Sequence, residues 1–220
     1  MSGAEIPRRV RVATTIIMLL APAGLLLVID GLWELRWWAS PSADHLVALL
    51  TDINREFGVE PPVLLRGHTG AIELIVLGLL TMVPAFLALG VRNGSRTART
   101  WVFVLAIVTL AVGVAFIGSD ATEPVTLQTF FTSMHQGIAV DRIPDVRAAL
   151  YPGWYSWVED IAQGLQALAA VAAIGALAVA VIWHGDWFFG RAKSEPADDA
   201  WDDAISRLHQ RTVNRPDDRP

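Results

Sequence analysis

Five carboxylates and two carboxamides gather where long apolar segments begin or end: Asp30, Glu34, Glu73, Glu159 and Asp160, with Gln163 and Gln166 one and two turns further along. Ionisable groups at membrane depth are costly, and where they persist they often line ion paths or ligand vestibules. Close to the interface the cost falls and water reaches them, so plain interfacial solvation is the competing reading. Asp30, Glu73, Glu159, Asp160 and Gln163 form the candidate polar vestibule. Glu73 and Glu159 lead it, because a repeated tract gives them equivalent places.

Other chemistry is narrowly bounded. The chain has no cysteine, which removes disulfides, thiolate nucleophiles and cysteine-ligated metal sites. His45, His68, His135, His184 and His209 stand apart from one another, and their spacing matches no zinc pattern such as H-E-x-x-H. There is no phosphate-binding glycine loop, no G-x-S-x-G elbow and no Lys/Arg stripe suited to nucleic acid. We therefore assign no catalytic, cofactor-binding or metal-binding residue and expect no cofactor and no nucleic-acid partner.

These side chains need elements to hold them. The 220 residues are 53% hydrophobic and 18% charged, with a mean hydropathy of +0.43, against about 25% charged in ordinary soluble domains. Four uncharged stretches, Val12–Ile29, Leu74–Val91, Trp101–Ser119 and Ile161–Trp183, approach or exceed the roughly 20 residues that cross a hydrocarbon core of about 30 Å. Backbone polar groups in lipid must pair internally, so each stretch is read as a helix. The expected fold is all-α: a four-helix transmembrane bundle with spans at about 12–33, 70–91, 101–119 and 160–183. Residues 1–11 form an N-terminal segment, 34–69 and 120–159 two outer loops, and 184–220 a polar tail. The first stretch also resembles a signal peptide in following Arg8, Arg9 and Arg11, but 18 apolar residues exceed the usual 7–15, and Trp33, Trp37 and Trp38 make a poor cleavage site.

Arginine asymmetry orients the spans. Arg8, Arg9 and Arg11 precede the first, Arg92, Arg96 and Arg99 fill the short link between the second and third, and Arg191 and Lys193 follow the fourth. The long loops hold only Arg36, Arg55, Arg66, Arg142 and Arg147, so both termini are expected in the cytoplasm and both loops outside, across the plasma membrane. Trp33, Trp37, Trp38, Tyr151, Trp154, Tyr155 and Trp157 would belt the outer interface, and Trp101, Trp183 and Trp187 the inner one.

Both outer loops carry an amphipathic template. Leu46, Leu49, Leu50, Ile53 and Phe57 follow i, i+3, i+4, i+7, i+11, and so do Leu127, Phe130, Phe131, Met134 and Ile138. Ser42 is the expected N-cap of the first outer helix and Thr122 of the second. Farther on, Glu73-Leu-Ile75-Val-Leu-Gly78-Leu79 matches Glu159-Asp-Ile161-Ala-Gln-Gly164-Leu165, with five extra residues in the second loop. This predicts an internal duplication of span, outer helix, span, although amphipathic helices also share a template by chance. Pro22 and Pro84 are expected to kink spans one and two. Ala172, Ala176 and Ala180 allow close helix approach in span four, within the bundle or between copies. In the tail, Ala197–Thr212 reads as a short helix with Trp201, Ile205 and Leu208 on one strip, either solvated or docking a partner.

The link Arg92-Asn-Gly-Ser-Arg-Thr-Ala-Arg-Thr-Trp101, the tract Tyr151-Pro-Gly-Trp154-Tyr155, the Ala-rich fourth span and the exit Trp187-Phe188-Phe189 resemble uncharacterised small four-span membrane proteins of high-GC Gram-positive bacteria. That group carries no assigned activity, so the resemblance implies no functional residue. The expected role is a non-enzymatic scaffold or accessory subunit in the lipid bilayer, with a membrane or cytoplasmic protein partner. The alternative is a small transporter or channel using the outer carboxylates.

Overall fold

The structure is a computed structural model that describes residues 6–62, 65, 67–120, 122–136, 140–150 and 154–189. The expected tail helix and Ile138 lie outside these residues. The described chain is helical: α1 (Arg8–Met18), α2 (Leu20–Trp38), α3 (Pro41–Phe57), α4 (Thr69–Arg92), α5 (Arg96–Asp120), α6 (Glu123–Gln136), a 3₁₀ turn (Val140–Arg142), α7 (Ile143–Ala149), α8 (Trp154–Trp183) and α9 (Gly185–Phe189). Four helical segments, Arg8–Trp38, Thr69–Arg92, Arg96–Ser119 and Tyr155–Trp183, are long and apolar enough to cross a membrane. The described chain is thus an all-α bundle with four helices long and apolar enough to span a membrane.

The first long segment breaks at Leu19, whose N–H bonds to the Ile16 carbonyl at 3.0 Å instead of continuing the i−4 ladder. Pro22 lies three residues on and has no N–H to offer the Met18 carbonyl, which accounts for the interruption there. The other internal proline, Pro84, sits buried within α4, which runs on unbroken to Arg92. Around the bundle, α1 and α2 neighbour α4, α4 neighbours α5, α5 neighbours α8, and α8 returns to α1 and α2. The ring therefore follows chain order.

At one end, which we term the cap, α3, α6 and α7 build a separate apolar core. Leu46, Leu49, Leu50 and Ile53 of α3 meet Phe130 and Met134 of α6 and Ile143 and Val146 of α7. Both amphipathic faces turn into this shared core, with α7 packed against α3, while Phe57 at the end of its stripe stays exposed. The N-cap of α3 is Ser40, whose Oγ accepts the Ala43 N–H at 3.4 Å, and Pro41 occupies the first helical position. This corrects the expectation of Ser42: proline suits the first turn, so the cap precedes it. Thr122 directly precedes α6, and its hydroxyl donates back to the Ser119 carbonyl at 2.7 Å. Gly58 ends α3 in the left-handed conformation, φ 66°. Helix α7 was not foreseen; its Pro144 in the first turn and its buried Ile143 and Val146 three apart are its local signals.

The opposite end, the base, is closed by α9. Phe188 is buried there in a cluster with Val10, Ala13, Ile17, Leu20, Ala88, Val91, Ala98, Val102, Ala170, Ala173, Leu177 and Ala180. Arg96 Nε donates to the Phe188 carbonyl at 3.1 Å, and the Arg99 guanidinium lies over the Phe188 ring, 5.4 Å from its centroid. The α4–α5 turn admits this because Gly94 has φ 76°, and a Cβ there would approach the Trp187 carbonyl to 3.0 Å. Trp187 is accordingly half-buried against the turn, while Trp101 and Trp183 remain exposed as interface residues would.

Candidate functional site

Polar groups within the bundle concentrate in its cap half. Asp30, near the end of α2, is 1% exposed, and on α8 Gln163 and Gln166 are buried too. Alpha-helical spacing brings Tyr155, Glu159, Gln163 and Gln166 to the side of α8 that faces the bundle, because steps of three or four residues stay on one face. Tyr155 donates its hydroxyl to the Asp30 carbonyl at 3.4 Å, linking α8 to α2. Gln163 Nε2 donates to Glu159 Oε1 at 3.2 Å, holding the half-buried carboxylate along the helix.

Deeper in, Gln166 joins α8 to α5. Its Nε2 donates to the Thr109 carbonyl at 3.1 Å, next to Gly113. A Cβ at Gly113 would fall on the Gln166 amide, 3.2 Å from its Cδ, so glycine makes the room this amide occupies. The Thr109 carbonyl is accessible as an extra acceptor because it carries a second lone pair beyond its helical bond. Gln166 Oε1 has no hydrogen-bond donor among the described residues, and neither does the buried Thr81 Oγ1.

The vestibule residues therefore divide. Asp30, Glu159 and Gln163 face the interior or its edge, whereas Glu73 and Asp160 lie on exposed faces of α4 and α8. Helix α4 buries Ala71, Leu74, Leu77, Gly78 and Thr81, a stripe that turns Glu73 away from the bundle. The paired tracts also pack differently. Gly78 presses on α2, where a Cβ would stand 2.6 Å from the Gly24 carbonyl, while one at Gly164 would meet nothing. The sequence equivalence of Glu73 and Glu159 is not matched by equivalent surroundings.

Sequence reasoning did not single out Tyr155, Thr109, Gly113 and Thr81 as parts of this region. A glycine facing a carboxamide is visible only once α5 and α8 are placed side by side. His45 and His68 are exposed, and His184 is half-buried at the base. Among the described residues no group of three histidines or carboxylates could hold a metal ion. The arrangement offers a desolvated carboxylate and amides as hydrogen-bonding groups.

No protein family, no curated protein and no solved structure matches the chain.

Proposed function

We propose that the chain is a non-enzymatic scaffold or accessory subunit of the plasma membrane, crossing it four times with both termini in the cytoplasm and the helical cap outside. One observation carries this reading. The buried cluster of the base half is apolar and includes Phe188, and among the described residues no row of buried polar side chains continues the cap-half groups through it. The nearby buried Thr14 is already bonded to the Val10 carbonyl of its own helix at 2.8 Å. An ion or polar solute leaving Gln166 toward the base would have to cross this apolar cluster, at a desolvation cost of several kcal/mol. The cap, with its own core, is the part shaped to present a surface to another protein. The resemblance to small four-span proteins of Gram-positive bacteria accords with this reading and adds no activity to it.

Asp30 favours the second reading, a small transporter or channel using cap-end carboxylates, since a desolvated carboxylate in a bundle is expensive to keep. The two separate in one experiment. Purified protein in proteoliposomes should pass no protons, sodium or potassium above empty vesicles, and purification from native membranes in mild detergent should retain a stoichiometric partner. That partner should be lost when Leu50→Asp disrupts the cap while the bundle stays folded. A saturable flux abolished by Asp30→Asn would replace the scaffold by the transporter. Orientation is tested by single cysteines in this cysteine-free chain: Ser133→Cys should react with an impermeant thiol reagent on intact cells, and Ser95→Cys should not.

A further inference from the structure

A groove of about 520 Å³ runs between α1 and α8 at the base end, walled by Val12, Ala13 and Ile16 on one side and by Ala172, Gly175, Ala176 and Val179 on the other. Its volume lies within the roughly 300–1,000 Å³ of small-molecule sites. The small side chains of α8 keep its floor low, and Gly175 has open space where a Cβ would be. Arg8 and Arg9 stand at its mouth. From Arg8 to Ile16 the helix rises about 12 Å, most of the roughly 15 Å depth of one hydrocarbon leaflet.

We infer that this groove binds one anionic phospholipid, with an acyl chain between α1 and α8 and the headgroup phosphate on Arg8 and Arg9. Three features of the mouth favour an anion. The Arg9 guanidinium lies over the Trp183 ring, 4.0 Å from its centroid, which fixes one positive charge at the groove's end between α1 and α8. Arg8 and Arg9 are exposed and line the groove, and among the described residues neither forms an ion pair with a carboxylate. Helix α1 also begins here. Arg11 N–H bonds to the Pro7 carbonyl at 3.1 Å, and the preceding amides of Arg8, Arg9 and Val10 point out of the helix at its positive end. Below the mouth the lining is apolar, which suits a chain of methylenes and offers a soluble anion nothing. The inference is independent of the scaffold reading, since it requires only that the bundle lie in a bilayer.

The test uses the full chain in detergent with added palmitoyl-oleoyl phosphatidylglycerol or phosphatidylcholine, read by native mass spectrometry and by thermal stabilisation. The wild type should retain one phosphatidylglycerol, at least about tenfold in preference to phosphatidylcholine (about 1.4 kcal/mol), because both lipids offer a phosphate but the choline ammonium cancels its charge and is repelled by Arg8 and Arg9. Arg8→Gln with Arg9→Gln should remove the preference and leave weak binding of both lipids. Gly175→Leu should fill the groove and lower binding of both lipids about tenfold, while Gly118→Leu, at another open glycine, should not. Melting of each variant without added lipid verifies that it is folded. Equal retention of the two lipids by the wild type, or unchanged binding by Gly175→Leu, would overturn the inference. A Gly175→Leu variant that changes only the oligomeric state would overturn it too, and would make the groove a face for a second copy.

Discussion

Two pairs of neighbouring helices in this bundle use glycine to opposite ends. Between α2 and α4, Gly24, Gly31 and Gly78 let backbones touch: a Cβ at Gly31 would stand 2.6 Å from the Ala71 carbonyl, and one at Gly78 as close to that of Gly24. Between α5 and α8, Gly113 makes a recess that a polar side chain, Gln166, fills from the neighbouring helix. The first contact is dry and close, and its strength is van der Waals packing over a long seam. The second adds to a packed seam one interhelical hydrogen bond, from the Gln166 amide to the Thr109 carbonyl. Lipid tails are as apolar as leucine, so neither pair gains from burying oil away from water, and close fit or hydrogen bonding must hold each together. The two seams hold matching places in the proposed halves and are built differently.

The comparison breaks most visibly at Gly78. Replacing it with Leu should push α4 off α2 and cost well over the about 1–3 kcal/mol typical of overpacking, because the obstructing atoms are backbone. We expect little monodisperse protein after detergent extraction. Gly24→Ala should melt earlier by the equivalent of about 1–3 kcal/mol. A wild-type melting curve for Gly78→Leu would mean that the seam is looser than described.

The α5–α8 attachment should respond less and in a coupled way. Gln166→Ala removes one interhelical hydrogen bond, worth about 0.6–2 kcal/mol in membranes. Gly113→Ala should cost a similar amount alone, since the amide can swing aside, and nearly nothing once Gln166 is Ala. Thermal melts of the two single variants and the double should therefore be non-additive. Strict additivity would show that Gly113 and Gln166 do not share the space.

The smallest effect sharpens the contrast between the matched tracts. Gly164→Leu, the counterpart of Gly78→Leu, adds its side chain to open space and should stay within about 0.5 kcal/mol of wild type by melting. A severe loss there would restore the equivalence that the packing denies.

The four spans and the amphipathic cap helices were legible in the sequence because each meets a one-dimensional demand. A helix in lipid must be apolar over a set length, and a helix on a core must be apolar at a set period. Leu46, Leu49, Leu50 and Ile53 are buried as their period requires. The break before Pro22 is equally local, since one missing N–H suffices. Tertiary structure alone decided which faces of the spans look inward. A span is apolar all round, so hydropathy does not distinguish a lipid-facing leucine from a buried one, and Glu73 and Asp30 look alike in sequence. One is exposed on α4, while the other is enclosed beside Tyr155 of α8. The uses of Gly78, Gly113 and Gly164 were hidden for the same reason. What a missing side chain makes room for belongs to the neighbouring helix, and the sequence of one helix carries no record of its neighbour.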